Sequence, residues 1–308
     1  MHERGRAVLR EKADLFIAER TDEDYLIEKI TDMEGIIVRG NGKVSRKMIE
    51  SAPRLKVIGR HGVGVENIDL KAATEKGIWV VNTPDANSIS VAELFFGFAL
   101  MLSRSFKEGD LALREGRWEA RNLHIGRDLH GKTLGILGFG QIGKEIGRIG
   151  YKGFDMKILY YDVVRYEEAE KEVKAKRLGL DELLSQSDFV SINLPLVPET
   201  KGLLTERFFG LMKSSAFIIN VARGPLWDEK ALYRALKEGK IAGAASDVFE
   251  VEPATKDHPL FQLKNFIGTP HMGARTEEAL ERMSLVAVDV LRILEGKKPI
   301  HPVNTPSR

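Results

Sequence analysis

The stretch Lys132–Gly143, KTLGILGFGQIG, runs from an apolar, strand-like segment straight into Gly138-x-Gly140-x-x-Gly143, and a helical pattern follows. Strand, glycine turn and helix in that order read as a dinucleotide-binding turn. The first glycine permits the sharp turn, the second lets a pyrophosphate approach the backbone, and the third lets the helix pack close to the strand; the helix N-terminus supplies N–H groups and the positive dipole end. A second apolar run, Lys157–Tyr161, ends in Asp162, 19 residues beyond Gly143. A carboxylate at that spacing accepts hydrogen bonds from ribose hydroxyls and repels a 2′-phosphate, so the pattern favours NAD over NADP.

Outward from this turn, strands are expected near 134–138, 157–161, 188–193, 216–221, 243–248 and 266–269, six parallel strands that complete a doubly wound sheet. Upstream, the apolar runs Leu15–Ala18, Gly35–Val38, Leu55–Ile58 and Ile78–Val81 alternate with helical patterns, which again predicts parallel α/β structure. After Thr83-Pro84, a capping box Ser90-x-x-Glu93 opens a helix through Leu94, Phe95, Phe98 and Leu102 that is apolar on nearly every side. This helix, near 90–104, is expected to be buried between domains and to form a homodimer interface. A last long helix is expected from Thr276 to Glu295, stopped by Gly296. The domains predicted are 1–84 with 275–308, and 85–274.

At 308 residues the chain suits two domains. Its 47 Lys and Arg against 45 Asp and Glu leave a formal charge of +2, which implies neither a nucleic-acid nor a membrane partner. The cluster Lys171–Arg177 reads as a solvated face. The absence of cysteine excludes disulfides, thiolate catalysis and cysteine-ligated metals. No apolar run is long enough to span a bilayer and the N-terminus lacks a signal-peptide core, so a cytoplasmic location is expected.

Hydride transfer needs a group that moves a proton on and off the substrate oxygen and a cation that fixes the substrate anion. Three segments beyond predicted strand ends carry such groups: IINVARG (218–224) with Arg223, DVFEVEP (247–253) with Glu252, and GTPHMGART (268–276) with His271. Singly, each has an ordinary reading as a surface arginine, a loop carboxylate and a satisfied loop histidine.

Together with GRHGVGVENIDL (59–70), NTPDANSISVAEL (82–94), GKTLGILGFGQIG (131–143) and NVARGPLWDEKALYRAL (220–236), these segments carry a resemblance across almost the whole chain. It resembles the D-isomer-specific 2-hydroxy acid dehydrogenases, and among them the D-3-phosphoglycerate dehydrogenases. The resemblance implies a Rossmann NAD-binding domain and a smaller flavodoxin-like substrate domain, which close over a small 2-hydroxy or 2-keto acid. It implies that Arg223 holds the substrate carboxylate, that His271 is the general acid–base and that Glu252 raises its proton affinity, with no metal. Gln141 and Ile142 would meet the pyrophosphate and Asp162 the ribose. Leu194, Val221, Ala222 and Gly273 would line the cofactor site, and Asp247 would bind the nicotinamide amide. Backbone N–H groups of Gly62, Val63 and Gly64 would receive the substrate carboxylate. Arg39 and Arg60 match positions that bind phosphate in the phosphoglycerate enzymes, and Arg121 lies near a third. The alternative is a glyoxylate, hydroxypyruvate or other 2-keto acid reductase; a remoter one is an NAD-sensing, corepressor-like binding protein.

Several residues depart from the family pattern: His61 where alanine is usual, Asn193 where histidine is common, and Pro225 in place of a glycine. Family members open with a strand central to the small sheet, whereas this chain begins with the helical pattern Gly5–Lys12. A truncated start with an unpaired sheet edge is therefore expected. No serine-sensing regulatory module is expected after Pro302.

Overall fold

The computed structural model describes residues 1–40, 42–123 and 125–306. The chain forms two compact units, 1–87 with 274–308 (unit 1) and 88–273 (unit 2). Unit 1 begins with α1 (Glu3–Arg10) and α2 (Glu23–Ile30), then alternates β1 (Gly35–Arg39), α3 (Arg46–Glu50), β2 (Val57–His61), α4 (Leu70–Glu75) and β3 (Trp79–Val81). Unit 2 opens with α5 (Ser88–Ser103), α6 (Phe106–Arg114) and a 3-10 turn (Trp118–Asn122). There follow β4 (Thr133–Leu137), α7 (Gln141–Phe154), β5 (Lys157–Tyr161), α8 (Glu167–Val173), β6 (Lys176–Arg177), α9 (Leu180–Gln186) and β7 (Phe189–Ile192). Then come α10 (Glu206–Leu211), β8 (Phe217–Asn220), α11 (Glu229–Lys237), β9 (Gly243–Ser246) and β10 (Phe266–Gly268). The chain returns to unit 1 as α12 (Glu277–Ser284) and α13 (Val286–Leu294).

The sheet of unit 2 is parallel, in the order β10-β9-β8-β7-β4-β5-β6. Its inner strands β4, β7, β8 and β9 are almost wholly buried because helices cover both faces. Leu134 and Ile136 join one cluster with Phe95, Phe98 and Ile146; Leu137 and Ile218 join the other with Leu183 and Leu232. At Gly135 a Cβ would collide with the Ser187 side chain, so the missing side chain lets α9 lie directly on β4. The strand order reverses between β4 and β7, and ligands of open parallel sheets bind beyond the strand ends at such a point.

Unit 1 has three parallel strands in the order β1-β2-β3. Val38, Ile58 and Val80 face α2, α3 and α4, while Val57 and Val81 pack on Val286, Val290 and Ile293 of α13. Among the described residues β1 pairs with β2 alone. The strand expected at Leu15–Ala18 is absent: Leu15, Phe16 and Ile17 are non-regular and exposed. The composition there suits a strand, but a strand exists only through its ladder, and no partner lies beside this one. Residues 3–10 are helical, capped by His2 Nδ1, which accepts the Arg4 N–H at 3.2 Å.

Three further expectations are corrected. Ser90 lies inside α5, which starts at Ser88, so no capping box opens that helix at Ser90. The last helix breaks at Leu285, whose backbone serves as the cap between α12 and α13. Lys176 and Arg177 are exposed yet form a seventh strand, β6, beside β5. Much of the apolar surface of α5 is buried inside unit 2, with Phe95, Phe98 and Ala99 at most 1% exposed, while Ile89 is 45% exposed. The exposed apolar side chains come next in the chain: Phe106, Leu111, Leu113, Trp118, Leu123 and Ile125. No single helix among the described residues is long and apolar enough to cross a membrane.

Candidate active site

The glycine turn after β4 has the geometry its three glycines suggest. Gly138 has φ +89, and a Cβ there would lie 2.7 Å from the Asn193 backbone. A Cβ at Gly143 would collide with the carbonyl of Gly138, whereas one at Gly140 would meet nothing within 4 Å. Two glycines are thus consumed by packing and the middle one borders open space. That is the cradle a pyrophosphate needs in front of Gln141 and Ile142, the first residues of α7. Asn193 Oδ1 is buried without a partner, a second polar atom at the same turn. These residues fit a bound dinucleotide.

Asp162, just past β5, is fixed by backbone N–H groups of the glycine turn and of the following residues. Its Oδ2 accepts the Phe139 N–H at 2.7 Å and its Oδ1 the Val164 N–H at 3.0 Å. Arg177 of β6 donates to the Asp162 carbonyl at 2.7 and 3.1 Å. Asp162 lines a 640 Å³ cavity with Tyr161, Arg165, Glu170, Lys176 and Arg177. The basic cluster 171–177 is therefore more than a solvated face. Leu194, Val221 and Ala222 are buried after β7 and β8.

Arg223 follows β8 in a turn built by a buried polar residue that sequence reasoning passed over. Asn220, fully buried, accepts the Ala222 N–H at 3.0 Å and donates to the Arg223 carbonyl at 2.9 Å. Its signal was a polar side chain closing the apolar run Phe217–Ile219. A Cβ at Gly224 would overlap the peptide between Phe249 and Glu250, so only glycine lets the Arg223 segment lie against the segment that carries Glu252.

Glu252 and His271, 19 residues apart in sequence, meet in space: Glu252 Oε2 lies 2.8 Å from His271 Nδ1, and Oε1 accepts the Phe249 N–H at 3.1 Å. The bond to Glu252 holds His271 above its ordinary proton affinity, against the opposing effects of burial and Arg223. Burial pushes the Glu252 carboxyl up, but the hydrogen bond and charge of His271 outweigh it and keep Glu252 below the usual range. His271 adopts φ +50, a left-handed conformation uncommon outside glycine. Asp247, 3% exposed, maintains this shape by accepting from Thr269 Oγ1 at 2.6 Å, Met272 N–H at 2.7 Å and Gly273 N–H at 2.7 Å. Asp247 thus anchors the His271 loop, work that the sequence reading did not assign to it.

In unit 1, Arg60 donates to the carbonyls of Gly64 at 2.7 Å and Gly40 at 3.3 Å, and Arg39 is exposed at the end of β1. The carbonyl of Gly62 accepts from the Thr83 N–H and that of Val63 from Asn82 Nδ2. In trans peptides the N–H groups of Val63 and Gly64 then point the opposite way. His61 sits in register with Arg39 across β1 and β2, 5% exposed, with Nε2 buried and unpartnered. Burial, with Arg39 beside it, pushes its pKa down to about 4.

The family description "D-isomer specific 2-hydroxyacid dehydrogenase, NAD binding domain" matches residues 96–273. The D-3-phosphoglycerate dehydrogenase of Methanocaldococcus jannaschii is 45% identical over the whole of this chain, which spans 58% of that protein's length. The glyoxylate reductase of Pyrococcus furiosus is 40% identical, with 98% of this chain and 92% of that protein covered. Among solved structures, a Thermus thermophilus protein superposes with a TM-score of 0.91 at 33% identity, covering 99% of this chain and 97% of that one. Apo D-mandelate dehydrogenase of Rhodotorula graminis does so with 0.90 at 30% identity, covering 99% and 96%.

Proposed function

The chain belongs to the D-isomer specific 2-hydroxyacid dehydrogenase family and contains its NAD-binding domain, and from that premise we propose that it interconverts a small D-2-hydroxy acid and the 2-keto acid. The carrying observation is the 2.8 Å His271–Glu252 bond. In the reducing direction His271 gives its proton to the keto oxygen as that oxygen becomes a hydroxyl, and Glu252 stabilises the charged imidazole until the transfer. Bound NADH supplies the hydride to the carbon. Arg223 pairs with the substrate carboxylate through its planar fork and polarises the carbonyl. Asp162 selects NADH over NADPH.

We assign the substrate's far end to Arg39 and Arg60, which makes 3-phosphoglycerate and 3-phosphohydroxypyruvate the first candidates. A second reading, a reductase of glyoxylate, hydroxypyruvate or a similar acid, is favoured by the engagement of Arg60 with two loop carbonyls. The protein is proposed to pair as a homodimer through the helix near 90–104, α5, together with the exposed apolar side chains of α6 and the following turn. The deciding experiment measures NADH oxidation with 3-phosphohydroxypyruvate, hydroxypyruvate, glyoxylate and pyruvate, repeated with NADPH. A kcat/KM advantage of at least about tenfold, or 1.4 kcal/mol, for the phosphorylated acid supports the first substrate reading. The reverse order supports the second, and no turnover of any of them defeats both.

A further inference from the structure

Unit 2 holds a second histidine–carboxylate pair. Glu229 Oε2 lies 3.0 Å from His258 Nε2, and Glu229 Oε1 accepts the Glu250 N–H at 2.8 Å. The two side chains are only 12% and 16% exposed. Capping does not account for Glu229, since Asp228 already caps α11 by accepting from the Lys230 and Ala231 N–H groups. His258 packs edge-on against Phe249, 5.4 Å between ring centres, and lies 5.0 Å from Phe261.

The segment that carries Glu252 is consequently held at several points. Glu229 takes the N–H of Glu250, Gly224 abuts the Phe249–Glu250 peptide, and Phe249 donates its own N–H back to Glu252. His258 braces both Glu229 and the Phe249 ring. Resting on the acid–base reading of His271 above, we infer that Glu229 and His258 are positioning residues that fix segment 249–252 and thereby aim the Glu252 carboxylate at His271. Neither touches the reacting atoms. A loosened segment would leave Glu252 less well directed, and His271 would release its proton at lower pH.

The test uses the whole chain, NADH and whichever of the four keto acids the wild type reduces best. Glu229→Gln should lower kcat by about tenfold, leave the NADH Kd unchanged, and move the limb on which reduction falls with rising pH to lower pH. His258→Leu should do the same, and His258→Gln, which keeps an N–H donor, should restore the wild-type limb. Folded Glu229→Gln and His258→Leu proteins with unchanged kcat and limb would overturn the inference. Should Glu229→Gln fail to fold, Glu229→Asp is read in the same way; if that variant also fails to fold, the pair is structural and the inference falls. His271→Asn separates the two levels, because retained turnover there defeats the acid–base reading itself.

Discussion

Two histidines stand at the carboxyl edges of the two sheets, His61 at the end of β2 and His271 just beyond β10, and their surroundings drive them in opposite directions. His271 has a carboxylate at 2.8 Å, which favours the charged ring and outweighs its partial burial. His61 has Arg39 as its strand neighbour, is buried, and has no partner for Nε2, which favours the neutral ring. Residue type therefore does not determine proton affinity here; the nearest charge and the access of water do.

The largest test of this contrast is His271→Asn, which should lower kcat by roughly 10²–10⁴-fold while NADH binding, read by fluorescence titration, is retained. Next comes stability against pH. The unfolded chain protonates His61 near 6.5 and the folded chain only near 4, so between those values the unfolded state binds more protons. The His61 contribution should fall by up to about 3 kcal/mol as pH drops from 6.5 to 4 and be constant below, where only the paired carboxylates go on losing stability. Denaturant melts should show this loss reduced in His61→Leu; equal loss in both proteins would break the contrast. His271 acts oppositely: its stabilisation is present below its unfolded value and fades as pH rises through its raised folded one.

Smaller effects sharpen the picture. Gly224→Ala inserts a methyl where the Phe249–Glu250 peptide lies, and should cost about 2 kcal/mol in thermal or chemical melts together with a fall in kcat. Wild-type stability in that variant would mean the two loops separate freely. Asp162→Ala should shift the NADH-to-NADPH preference by about tenfold, equivalent to 1.4 kcal/mol, without moving either histidine's titration. An unchanged preference would place ribose recognition elsewhere.

The glycine turn was legible because Gly138 and Gly143 answer local packing requirements while Gly140 leaves open space before the helix, and the inner strands of unit 2 because burial on both faces makes them mostly apolar. Leu15–Ala18 misled because its composition carries no record of whether a neighbouring strand exists. The break at Leu285 was invisible because Ser284 and Leu285 carry no glycine or proline signal that would mark a helix end. Arg223, Glu252 and His271 stood out beyond predicted strand ends and took their roles from a resemblance, whereas Asn220, Glu229 and the anchoring work of Asp247 emerge only when distant segments are brought within hydrogen-bond reach. Side chains that hold other side chains leave no spacing in the sequence.

The chain passes from unit 2 into unit 1 between Gly273 and Ala274, two residues after His271. A tug transmitted along the backbone at that crossing would arrive at His271, the proposed acid–base, almost at once. Asp247 intercepts it, since its carboxylate grips the Met272 and Gly273 N–H groups on the near side of the crossing. It acts as a strain relief, as a clamp on a cable protects the solder joint behind it, and it lets the tether be short without making the imidazole's placement depend on the tether's tension.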